Sequence, residues 1–180
     1  MRLPTRKKEL ERQQTEEPDL HFTPEKIEAM KRELQRLIDT ERGVAAAEVI
    51  RTGEMGDFSE NAGYQWAKQN LRRINGRILS LTEKINHAIP IVHDATSTRV
   101  RIGSIVTVQV HDPLRTPPLQ GEGSPQYTYE ILGSQESNPM KGRISHHSPI
   151  GKALLGAKVG EIVDVTVGER VTRYVVIEIR

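Results

Sequence analysis

The chain has 180 residues, 36% hydrophobic and 28% charged, a length that suits one ordinary domain or two small ones and excludes a large multidomain machine. Its 26 Lys and Arg against 24 Asp and Glu leave a net charge of +2, so no overall field drives it onto nucleic acid or membrane, and any electrostatic footprint must be local. Cysteine is absent, which excludes a disulfide framework, a thiolate metal site and a cysteine nucleophile.

Apolar runs such as Val175-Val176-Ile177 are too short to cross a bilayer. The basic start Met1-Arg2-Leu3-Pro4-Thr5-Arg6 has no apolar stretch behind it, so it does not read as a secretory signal. The expectation is a soluble, cytoplasmic protein with no membrane partner. Aromatic residues make up only 4%, so a core must rest on aliphatic side chains.

Residues 1–21 are polar with cancelling charges and bury too little to offset their ordering entropy, so they read as a flexible tail. At Thr23-Pro24-Glu25 the pattern changes to an N-cap, a proline at the first helical position and a charged first turn. Ile27, Met30, Leu34 and Leu37 then mark one helical face, which Ile38, Val44 and Ala45 to Ala47 continue with some drift. A second helix carries Ala67, Leu71, Ile74, Ile78, Leu81, Ile85 and Ala88 at alternating intervals of 4 and 3, the seam of a coiled coil. Gly53 and Gly56 permit a reversal between the two, so residues 22–89 are expected to form an antiparallel helical hairpin, about 35 to 40 Å long. Gly76 lies inside the second helix at a cost of ~1 kcal/mol relative to alanine.

From residue 90 the texture turns to short β-rich runs, at 104–110, 127–132, 161–167 and 172–179. Ser148-Pro149-Ile150-Gly151 opens a short helix that Gly156 stops. Residues 90–180 are thus expected to form a small antiparallel sheet with one helix, giving an α+β chain overall. The stretch 111–126, rich in proline, reads as a loop inserted between strands.

Counting the seam backwards from Ala67 gives Tyr64, Glu60 and Asp57, so the apolar stripe becomes acidic where the hairpin turns. One reading is a capping box, with Asp57 as N-cap and Glu60 three residues later. The other is a pair of carboxylates suited to Mg²⁺, too few to bind it without a third party. Lys68, Arg72, Arg73, Arg77 and Lys84 make the second helix basic. They form either a solvated face balanced by Glu33, Asp39, Glu41 and Glu48, or a phosphate-contacting stripe. His146 and His147, if placed on a strand, point to opposite faces and share no site. No zinc-ligand spacing, phosphate loop or nucleophile elbow is present.

The run Gly56-Asp57-Phe58-Ser59-Glu60-Asn61-Ala62-Gly63-Tyr64, followed by Lys68, Leu71-Arg72 and Arg77, resembles the bacterial transcript cleavage factors GreA and GreB. Ile144-Ser145-His146-His147-Ser148-Pro149-Ile150, Ala153-Leu154-Leu155 and Val159-Gly160 resemble that family's C-terminal domain. The resemblance spans about residues 23 to 180, and Tyr64-Gln65 with the Leu71 to Arg77 run look more like GreB. It implies a coiled coil inserted through the secondary channel of RNA polymerase and a C-terminal domain similar in fold to FK506-binding proteins, docked at the channel rim by residues it does not identify.

Carried over, Asp57 and Glu60 would hold a Mg²⁺ jointly with the polymerase and position the attacking water, so that the extruded 3′ end of backtracked RNA is cut. Arg51, Asn61, Tyr64, Lys68, Arg72, Arg73 and Arg77 would face RNA or polymerase. The protein itself would be a monomer, not an enzyme, with no metal of its own. Gly63 stands where the family usually has an acidic residue, Gly53 where an arginine is common, and Gln69, Asn70 and Gly76 where GreB-like proteins are more basic. Two other functions remain: a channel-binding regulator that modulates without stimulating cleavage, which retention of Asp57 and Glu60 argues against, and a prolyl isomerase, which the scarcity of aromatics after residue 90 disfavours.

Overall fold

A computed structural model describes residues 19–54, 62–93, 97–111, 125–168 and 170–180. The chain divides into two units, Thr23–Pro90 and Ile91–Arg180, the second including the described residues up to Phe22.

In the helical unit, α1 (Pro24–Arg36) starts as its sequence dictates. The Lys26 N–H donates to Thr23 Oγ1 at 3.3 Å, and Pro24 occupies a position where no N–H is needed. A π-helical turn, Leu37–Glu41, follows, and the Arg42 N–H donates to the Leu37 carbonyl five residues back. The chain continues as α2 (Arg42–Gly53).

The π turn resets the buried face. Met30 and Leu37 are buried seven residues apart, as are Ala45 and Thr52, but the step from Leu37 to Ala45 is eight. Of the residues expected to continue the apolar face, Val44 is therefore 68% exposed while Ala45, at 4%, is buried. The returning helix α3 (Ala62–Asn86) buries Ala67, Ile74 and Leu81 at strict intervals of seven, with Leu71 and Ile78 half-buried between them. Arg77 meets Glu33, while Trp66 and Asn70 lie beside Val44 and Glu48. Numbers fall on one helix as they rise on the other, so the pair is antiparallel as expected.

The second unit is built on five strands: β1 (Ile105–His111), β2 (Gln126–Leu132), β3 (Arg143–Ser145), β4 (Ile162–Val167) and β5 (Arg170–Ile179), in the spatial order β3-β2-β1-β5-β4. Val106 pairs with Tyr129 on one side and Ile179 on the other, and a register shift at Thr107/Val108 leaves Ile177 unopposed on β5. The sheet is not wholly antiparallel, a correction to the sequence expectation. β3, a strand too short to stand out as a β-rich run, lies parallel to β2 with Ile131 opposite Ile144. Two 3₁₀ turns, Ser134–Glu136 and Pro139–Lys141, supply the reversal that a parallel pair requires.

Helix α4 (Pro149–Leu154) matches the expectation: Ser148 Oγ accepts from the Gly151 N–H at 3.1 Å, and Gly156, at φ +82°, adopts the left-handed conformation that ends it. Its Leu154 joins Val100, Val106, Val108, Ile131 and Val176 in the core. These are aliphatic side chains, as the shortage of aromatics required. Among the described residues no helix is long and apolar enough to cross a membrane.

Candidate functional site

Of the residues singled out in the sequence, Asp57, Glu60 and Asn61 lie outside the described residues, as do most of the 111–126 stretch and residues 1–18 of the polar tail. The described part of the site is the polar face of the helical hairpin leading toward them.

On α3, Lys68 places its ammonium 5.7 Å from the centre of the Tyr64 ring, an i,i+4 pairing of a cation with an aromatic face. One turn on, Arg72 is exposed and has no ion-pair partner among the described residues. Arg73 donates to Asn70 Oδ1 at 3.0 Å and likewise meets no carboxylate among them. Arg77 differs: its Nε and Nη2 donate to Glu33 Oε1 and Oε2 at 2.8 and 3.1 Å, a two-pronged bridge across the hairpin. On α2, Arg51 grips Glu48 in the same way at 2.9 and 2.7 Å. The hydrogen bond from the guanidinium holds each glutamate below the usual carboxylate range, Glu33 by Arg77 and Glu48 by Arg51.

The face thus contains both arrangements that the sequence allowed. Arg51 and Arg77 are balanced by glutamates, whereas Lys68, Arg72 and Arg73 present positive charge without one among the described residues. Sequence reasoning gave no surface role to Trp66, which is 63% exposed and lines a groove with Val44, Asn70 and Arg73. The signal was its position one residue before the buried Ala67, off the seam.

A second cluster lies in the sheet unit. His146 and His147 do not sit on a strand with opposed side chains, as expected; they follow β3 in a turn closed by the Ser148 N–H to the Ser145 carbonyl, and their ring centres are 4.0 Å apart. His146 Nδ1 lies 3.1 Å from the Leu132 carbonyl and 3.5 Å from Asp19 Oδ2. His21 Nδ1 is 3.0 Å from Asp19 Oδ1, and the two imidazoles meet edge to face at 5.4 Å. Burial raises the pKa of Asp19, but hydrogen bonds donated by the Ser134 and His21 amides and by side chains outweigh it and bring the carboxyl down to about 2. Residues 19–21, placed with the tail by composition, therefore carry specific contacts to the sheet unit. Nothing in the linear spacing of Asp19, His21 and His146 announces them.

A helical hairpin with a basic returning helix and a five-stranded mixed sheet make this an α+β chain of two units. Residues 20–89 match the family described as transcription elongation factor, N-terminal, and residues 95–180 match transcription elongation factor, GreA/GreB, C-term. Transcription elongation factor GreA of Chloroflexus aggregans is 38% identical over 167 residues, covering 92% of this chain and 99% of that one. The GreA of Acetivibrio thermocellus is 36% identical over 160 residues, covering 88% and 94%. Among solved structures, GreA factor homolog 1 of Thermus thermophilus covers 90% of this chain and 99% of its own at 25% identity, with a TM-score of 0.38. The chain belongs to the GreA/GreB transcription elongation factor family. These relatives carry the GreA name, so the lean toward GreB read from Tyr64-Gln65 and the Leu71 to Arg77 run finds no support in them.

Proposed function

We propose that this protein is a transcription elongation factor that binds RNA polymerase and stimulates cleavage of the 3′ end of backtracked transcripts, working as a monomer in the cytoplasm. The observation that carries this reading is the membership of both units in one elongation-factor family, combined with an antiparallel hairpin between whose helices the sequence places Asp57 and Glu60. The helical unit is the part that enters the polymerase's secondary channel, and the sheet unit, FKBP-like in fold, is the part that docks at the rim.

Asp57 and Glu60 are the residues that would hold Mg²⁺ together with the polymerase. Their donor set, two hard carboxylates, fits an octahedral cation that keeps several waters and needs ligands from a second macromolecule. The cation would supply charge stabilisation to the oxygens of phosphodiester hydrolysis. The same two carboxylates orient the water, and Arg72 and Arg73, which meet no carboxylate among the described residues, contact the extruded RNA by its phosphates.

Adding the purified chain and Mg²⁺ to a stalled, backtracked elongation complex tests the proposal. The expected result is release of short 3′ RNA products and resumption of synthesis. Binding with inhibition and no such products would show a channel-binding regulator instead.

A further inference from the structure

The cluster of Asp19, His21 and His146 plays no part in transcript cleavage as proposed above, yet it unites two imidazoles and a carboxylate in one place. We propose that these three side chains form a binding site for a single first-row divalent cation with an affinity for imidazole, of the Zn²⁺ type. This departs from the expectation that the free chain holds no metal.

Each of the three residues offers a donor atom, and the three atoms lie within 4.8 Å of one another. Asp19 presents one oxygen to each ring, Oδ1 at 3.0 Å from His21 Nδ1 and Oδ2 at 3.5 Å from His146 Nδ1, separations near the edge of about 3.3 Å expected between ligands of a tetrahedral site with bonds of about 2.0 to 2.1 Å. A proton bridges Asp19 Oδ1 and His21 Nδ1, and a cation can take its place. The Leu132 carbonyl, which accepts from His146 Nδ1, also accepts from the His146 backbone N–H at 3.0 Å, so it keeps a partner when the ring proton moves to Nε2.

The ligands are also held in position beforehand. The Asp19 side chain is 6% exposed, and the amides of Ser134 and His21 fix its two oxygens. Gly133 allows the approach, because a Cβ there would fall 2.1 Å from the His21 carbonyl oxygen. His147 packs its ring on that of His146. His21, 32% exposed at its side chain, leaves an opening through which the cation enters and a water completes the fourth position. Two nitrogen donors and one oxygen select against Mg²⁺ and Ca²⁺, so this site and the acidic hairpin loop take different metals.

The test is calorimetric titration of the full, tag-free, EDTA-stripped chain with ZnCl₂. One equivalent should bind, His21→Asn and His146→Gln should each weaken binding at least tenfold, and His87→Gln should leave it unchanged. Thermal melting of each variant without metal verifies its fold. Long-range ¹⁵N spectra of the unsubstituted chain give an independent reading, in which Nδ1 of His21 and His146 should carry the metal. Absence of saturable binding, binding that survives both substitutions, metal-linked signals at other histidines, or displacement by millimolar Mg²⁺ would each overturn the proposal.

Discussion

Arg77 and Glu33, 44 positions apart in the chain, are joined by two parallel hydrogen bonds of 2.8 and 3.1 Å that clasp the two sides of the helical hairpin. Both side chains remain substantially exposed, so the pair contributes no more than about 0.2–1 kcal/mol. Its clearest signature is electrostatic. The hydrogen bond from Arg77 is the largest influence on Glu33 and lowers its carboxyl below the usual range, against a smaller opposing effect of burial. Because the folded-state value is depressed, this contribution is present above the ordinary carboxylate range and is lost as pH falls through it. In a carboxyl-detected NMR titration, Arg77→Ala should move Glu33 up toward the ordinary value while leaving Glu28, which pairs with Lys31, unmoved.

The π turn at Leu37–Glu41 decides which of two adjacent residues faces α3. Val44→Lys should alter stability by less than about 0.5 kcal/mol, whereas Ala45→Lys, which forces a charge into the helix interface, should cost about 2 kcal/mol or more. Denaturant melts of the two variants check this directly. The reverse order, with Val44→Lys the costlier, would mean an uninterrupted seven-residue repeat.

Gly76 sits in the middle of α3 with nothing within 4 Å of where a Cβ would lie. Packing therefore gives no reason for the glycine, and Gly76→Ala should stabilise the chain by roughly 0.5–1 kcal/mol, raising the thermal midpoint by several degrees.

Arg72, which lacks a carboxylate partner among the described residues, is more available to RNA than Arg77, which has one. Arg72→Glu should reduce stimulated cleavage most on complexes with long extruded RNA, and should do so more than Arg77→Glu. The ratio of cleavage rates on long- and short-backtracked complexes measures this, and an effect of Arg72→Glu that ignores RNA length would contradict contact with RNA.

Much of this architecture is legible in the sequence because its signals are local and periodic. The cap at Thr23, the seam of Ala67, Ile74 and Leu81, and the Ser148-Pro149 helix start all follow from short-range chemistry, and all are present in the structure. Less legible features depend on distant parts of the chain or on a break in period. The π turn shifts the first helix by one residue, so of Val44 and Ala45, both read onto the apolar face, only Ala45 is buried. The three-residue β3 draws its identity from pairing with β2. Asp19 and His146 meet only because the segment before the hairpin is held against the sheet unit through Ser134, a contact that no spacing rule encodes. At the hairpin loop, residue chemistry and family resemblance identify Asp57 and Glu60, which lie outside the described residues.

The central claim is that Asp57 lends its carboxylate to a reaction carried out inside the polymerase. The most direct measurement compares the unsubstituted chain with Asp57→Asn in two assays on the same backtracked complex, polymerase affinity and Mg²⁺-dependent RNA cleavage. The account predicts near-normal affinity with stimulated cleavage abolished. Cleavage that persists, or a parallel loss of affinity and cleavage, would contradict it.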